Sequence, residues 1–180
     1  MEDSNTYLWE KRHEALYETR LSQLYHKKRE RFFDLLDKVT KCVTILLGAS
    51  LLGAYVKDFI PEIGVAVTSI GLLSLIFSYT DKKQKHKELA EAFAAIQVKI
   101  EARGVFDFTD IDVAEWSAEV QRINAKEPPT LGTLVVICQN ELAVAEAKPE
   151  SIVHVGFMSR LLANFRDDFR QAPRTQLTSS

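Results

Sequence analysis

Two stretches of this chain carry no formal charge, Cys42 to Val56 and Ile63 to Thr80, and only "KDFIPE", Lys57 to Glu62, separates them. Such runs leave few choices: they are the central helices of a soluble bundle, or they cross a membrane. At about 1.5 Å per residue the second run makes roughly 27 Å of helix, against a bilayer hydrocarbon core of roughly 30 Å. The first run is shorter, but it gains the turn holding Val39 and Thr40, with Lys38 and Lys41 long enough to extend toward the headgroups. Pro61 disfavours helix at Ile60, and so short a connection makes the two runs antiparallel neighbours.

Flanking charge separates the two readings. Lys27, Lys28, Arg29, Arg31, Lys38 and Lys41 precede the pair and Lys82, Lys83, Lys85 and Lys87 follow it, whereas the turn sets Lys57 against Asp58 and Glu62. A soluble hairpin has no reason to bracket itself with basic clusters. By the positive-inside rule these residues set the topology of a membrane hairpin, with both termini cytoplasmic. The whole-chain balance, Lys+Arg 23 against Asp+Glu 25, hides this segregation, and it points to no nucleic-acid partner. The expected partner is a lipid bilayer. The first apolar run begins too far from Met1 to be the core of a signal peptide.

Small residues mark where such helices meet, because lipid removes the hydrophobic drive for helix association and close backbone approach takes its place. Gly64, Thr68, Gly71 and Ser78 fall at i, i+4, i+7 and i+14, with Ser74 beside them, and Ala49 with Gly53 and Ser50 with Ala54 make small-xxx-small pairs. Two roles are open for the hydroxyls of Thr68, Ser69, Ser74 and Ser78. They bond to their own helix backbone, or some of them line a water path enclosed by several copies of the chain. A single hairpin encloses no such path, so a homo-oligomer is expected.

The rest of the chain predicts an all-α fold. Residues 1–41 read as a long amphipathic helix capped by Ser4 or Asn5, with Leu16, Tyr17, Leu21, Leu24, Phe32, Leu35, Leu36 and Val39 at helical spacing and no breaker before Gly48. Residues 42–80 form the transmembrane hairpin, residues 81–172 a cytoplasmic helical region integrated with the rest, and residues 173–180 a frayed tail. Within the cytoplasmic region, Asp81 to Arg103 places Leu89, Phe93, Ile96 and Ile100 on one face before Gly104 ends the helix, and no Gly or Pro uncouples it from the second span. Thr109 or Asp110 caps a helix with the stripe Val113, Trp116, Val120 and Ile123, closed by Pro128-Pro129. Leu131 to about Ala147 continues past the strand-like "LVVIC" without a turn residue, and a last helix runs from about Ser151 to Gln171 through Phe157, Leu161, Leu162, Phe165 and Phe169.

Chemistry-bearing patterns are absent. "HEALY", His13 to Tyr17, lacks the second histidine of a metalloprotease, "GASLLG" lies inside an apolar run, and no Gly-rich loop leads to Lys and Ser or Thr. His13, His26, His86 and His154 have no ligand-spaced neighbours and read as surface or interface residues; Cys42 and Cys138 read as packing residues. No catalytic, cofactor-binding or metal-binding residue is expected, nor an enzyme.

The arrangement, together with "YHKKRERFF" leading into the first span, "SYTDKKQKHKELAEAF" leaving the second, and "PPTLGTLVVICQNEL" followed by "LLANFRDDF", resembles the SLATT family of small bacterial two-transmembrane effector domains. The resemblance covers roughly Tyr7 to Phe169. It implies a multi-pass protein of the bacterial inner membrane that perturbs the membrane or forms a pore in anti-phage, abortive-infection defence. A sensor or a second-messenger-producing protein would be its partner. Two other classes stay open: a holin-like phage membrane protein, and a soluble helical interaction module if the hairpin is only a core.

Overall fold

The computed structural model describes residues 2–50, 59–104 and 106–165, and every regular element among them is helical. These elements are α1 (Glu2–Ser50), α2 (Ile60–Phe77), α3 (Tyr79–Ala102), α4 (Asp110–Asn124), α5 (Gly132–Ala145), a single 3-10 turn (Pro149–Ser151) and α6 (Phe157–Leu162). The expected contacts of Gly53 and Ala54, the turn residues Lys57 and Asp58, the end of the last helix through Phe169 and the tail lie outside the described residues. So does the side chain of Ser50. The chain divides into two compact units, Met1–Lys27 with Glu88–Ser180, and Lys28–Lys87.

The first unit holds the folded core. Phe93, Ile96 and Ile100 of α3 pack with Ala15 of α1 and with Val113, Trp116 and Val120 of α4, so the stripes predicted for α3 and α4 are the buried ones. A second cluster joins Leu21 and Tyr25 of α1 to Leu134, Ile137 and Cys138 of α5 and to Ala163 just after α6. "LVVIC" is helix, not strand, because its apolar residues meet partners on more than one side. Arg20 pairs with Glu101 at 3.0 Å and His26 stacks on Phe93, so α1 runs antiparallel to α3.

Local signals act where expected. Thr109 caps α4 through a capping box, its hydroxyl accepting from the Asp112 backbone while the Asp112 carboxylate accepts from the Thr109 N–H at 2.9 Å. Gly104 follows α3 at φ +68°, a conformation that favours glycine. By contrast, Ser4 and Asn5 lie inside α1, which has already begun at Glu2.

Three expectations need correction. The covered face of α1 in this unit takes in Ala15, Thr19, Ser22 and His26 as well as Leu21 and Tyr25, so it is wider and more polar than the leucine-rich stripe, of which Leu21 is buried and Leu16, Tyr17 and Leu24 are half-buried. Polar residues are tolerated there because they are bonded: the Thr19 hydroxyl donates to the Leu16 carbonyl at 2.8 Å, and His26 Nε2 lies 3.1 Å from Glu127 Oε1. The last helix does not start at Ser151. Ile152 to Gly156 is non-helical because the Asn140 side chain both donates to the Val153 carbonyl, 2.7 Å, and accepts from its N–H, 2.8 Å, occupying the groups a helix would use. Nor is His26 a surface residue: it is wholly buried and stacked on Phe93, with ring centroids 5.9 Å apart.

In the second unit α1 and α3 are again antiparallel, joined by Phe33 stacked on the buried His86 at 5.6 Å and by Lys83 with Asp34 at 2.7 Å. Leu35 and Val39, expected in the apolar stripe, are exposed, while Phe33 is buried. The passage from α2 to α3 is not continuous, as the lack of Gly and Pro had suggested. Ser78 stands between them in the left-handed region at φ 43°, its hydroxyl donating to the Leu75 carbonyl at 3.1 Å. A short polar side chain that bonds locally makes that conformation accessible without glycine.

Candidate functional site

α2 is the most unusual element of the chain. It is 18 residues long, its sole charged residue is Glu62 in the first turn, and not one of its residues is buried. Leu72, Leu73, Leu75, Ile76 and Phe77 are all exposed, Leu75 and Ile76 by about three quarters. Among the described residues it provides the one helix long and apolar enough to cross a membrane. In the described part of the preceding run, at the end of α1, Val43, Ile45 and Leu46 are exposed, and so is Cys42, which is not a core residue as Cys138 is.

The small residues divide between two faces. Gly64, Gly71 and Ser74 share a half-buried stripe with Ile63, Val67 and Ile70, whereas Thr68 is on the exposed side and Ala49 is exposed on α1. Ser78 has left the helix altogether. A methyl group built on Gly48, Gly64 or Gly71 would meet nothing within 4 Å, so no contact among the described residues demands glycine there. The hydroxyls of Thr68 and Ser78 bond locally, as does that of Thr44 on α1. Thr68 donates to the Gly64 carbonyl at 2.8 Å and Thr44 to the Thr40 carbonyl at 2.9 Å, which satisfies them without water.

Below α2 lies a collar of cations and aromatic rings. Phe77 and Tyr79 stack at 5.8 Å across the Ser78 bend, and the Lys82 ammonium sits 5.7 Å from the Phe77 ring and 5.8 Å from Phe33. Arg29 lies over Phe33 at 4.6 Å and over Phe32 at 5.4 Å. Asp34 bridges Lys38 and Lys83, both at 2.7 Å, and these hydrogen bonds, Lys38 first, hold its carboxyl down at about 2. The same bond raises the Lys83 ammonium above its ordinary value. Arg31, Lys85 and Lys87 are exposed, Lys28 is half-buried, and Lys27, in the first unit, is exposed. Sequence reasoning saw the charges but missed that Arg29 and Lys82 are held by rings; the adjacent "RFF" and the Phe77–Lys82 spacing were the available signals.

The core offers no comparable site. A cavity of about 10 Å³ among Leu21, Ser22, Tyr25, Glu127, Thr130 and Val135 has room for one water at most. Among the described residues no group of three or more His, Cys, Asp or Glu is placed to hold a metal ion. The buried pair of His26 and Glu127 is a core contact, legible only in the seven-residue phase shared by Thr19, His26 and Phe33. Comparison with protein-family models, with curated proteins and with solved structures finds no match to this chain.

Proposed function

We propose that this protein is a membrane-embedded, oligomeric effector that perturbs the bilayer or forms a pore, acting in bacterial anti-phage defence as the resemblance to SLATT domains implies. In this reading the runs Cys42–Val56 and Ile63–Thr80 form a hairpin in the inner membrane with both termini cytoplasmic. The observation that carries the membrane part is the uncovered α2: 18 residues, none buried. In a soluble monomer each exposed Leu, Ile or Phe of α2 would forgo up to roughly 1.5–3 kcal/mol of burial, in proportion to its exposed fraction. A core helix of a soluble module would already be covered by its own chain. Hydroxyls bonded to their own backbone suit hydrocarbon, where no water replaces a missing partner. The basic clusters on both sides of the hairpin give the orientation.

Fractionation tests the first step. After expression the protein is expected to stay in the membrane pellet through high-salt and alkaline washes, and recovery in the supernatant would return it to the soluble class. Single cysteines from Asp58→Cys and Ser179→Cys, in a background of Cys42→Ser and Cys138→Ser, test topology. A reagent that cannot cross the membrane should modify position 58 and spare position 179 in intact cells. Dye uptake after induction then tests perturbation, and cells that stay impermeable at high expression would refute the effector role.

A further inference from the structure

We propose that the collar at the end of α2 binds the phosphate headgroups of anionic phospholipid, with the bilayer surface at the level of Phe77 to Lys82. This rests on the membrane reading above and adds to it a preferred lipid and a depth. The change of polarity is abrupt. Leu75, Ile76 and Phe77 are exposed and apolar, and Asp81, Lys82 and Lys85 are exposed and charged. The left-handed Ser78 ends α2 between them, so the transition occupies little more than two helical turns. At that level sit the stacked rings of Phe77 and Tyr79, the kind of aromatic pair that settles at a headgroup boundary.

The charge of the collar calls for an anionic partner. Over 28–41 and 81–87 there are nine Lys and Arg and four Asp and Glu. Two of the four carboxylates are engaged inside the collar: Asp34 holds Lys38 and Lys83, and Asp37 holds Lys41. Glu30 and Asp81 are the other two. Lys82 is positioned by the faces of Phe33 and Phe77, which orient an ammonium without cancelling its charge. The buried His86 is stacked on Phe33 and presents nothing to the surface. An excess of positive charge beside an apolar helix end fits a surface that is itself apolar below and negative above. Each Lys or Arg near an anionic leaflet is worth about fivefold in association.

The test uses the full-length protein in phosphatidylcholine vesicles that carry a trace of spin-labelled phosphatidylglycerol or spin-labelled phosphatidylcholine. Electron paramagnetic resonance reads the motionally restricted fraction of each label. A several-fold preference for phosphatidylglycerol is expected. It should fall at least twofold in the Lys82→Gln/Lys85→Gln variant, survive in Lys82→Arg/Lys85→Arg, and largely vanish at about 1 M salt, where the Debye length is about 3 Å. Circular dichroism checks that both variants keep wild-type helicity. Equal restriction of the two lipids by the wild type would overturn the inference and leave the collar to an acidic protein partner. Full preference in the glutamine variant would overturn its assignment to these lysines. No restricted signal from either label would instead overturn the membrane reading itself, and this inference with it.

Discussion

Phe93 is the residue on which the first unit should depend most. Its side chain is 0% exposed, it packs among Ile96, Ile100, Val113, Trp116 and Val120, and it supplies the ring on which buried His26 is stacked. Phe93→Ala removes most of a fully buried side chain and leaves a cavity, at a cost of about 3–5 kcal/mol, out of a total stability of roughly 5–15 kcal/mol. With a urea dependence of about 2 kcal/mol per molar, the midpoint should drop by roughly 1.5–2.5 M. Trp116, 4% exposed in the same cluster, reports the loss by fluorescence on the full chain in mild detergent. Leu75→Ala is the contrast, because that side chain is 75% exposed and its truncation should lower the stability by no more than about 0.5 kcal/mol, a midpoint shift of about 0.25 M. A Phe93→Ala stability unchanged within the roughly 10–15% uncertainty of extrapolation would refute the packing described here. Loss of stability in Leu75→Ala as large as in Phe93→Ala would refute the statement that α2 is uncovered.

Three further outcomes are expected. The Asp34 carboxyl, held at about 2 by Lys38 and Lys83, contributes stability that is present above the ordinary carboxylate value and lost as pH falls through its own. A carbon NMR titration should place its midpoint well below that of a free aspartate, and Lys83→Gln should move it back upward; a normal midpoint in the wild type would exclude the bridge. Ala147 ends α5 at φ 56°, with the Lys148 N–H donating to the Ala143 carbonyl at 2.8 Å, so Ala147→Gly should stabilise the first unit by about 0.5–1 kcal/mol in the same urea assay. Destabilisation by that substitution would show that the left-handed conformation is absent. A Cβ at Gly71 meets nothing within 4 Å among the described residues, so Gly71→Leu should leave insertion and helicity unchanged while lowering the cross-linked oligomer. An unchanged oligomer would exclude that face as the contact between copies.

Much of this architecture is legible in local chemistry. The period of Leu89, Phe93, Ile96 and Ile100 names the buried face of α3, Thr109 names the start of α4, and the absence of charge between Ile63 and Thr80 names the helix that its own chain leaves uncovered. Each signal is carried by residues within a few turns of one another, so no knowledge of neighbouring elements is needed. Other features come from partners distant in sequence. His26 belongs to the core because Glu127 and Phe93 meet it there, about a hundred and about seventy residues away, and a histidine without those neighbours reads as surface. Asn140 converts the stretch after Ser151 from predicted helix to extended chain by taking both backbone groups of Val153. The basic residues before and after the two apolar runs are visible as charge. Which of them face Asp34, and which are held over Phe33 and Phe77, is set by the antiparallel register of α1 and α3, and register is a property of two helices together, which neither one's sequence specifies alone.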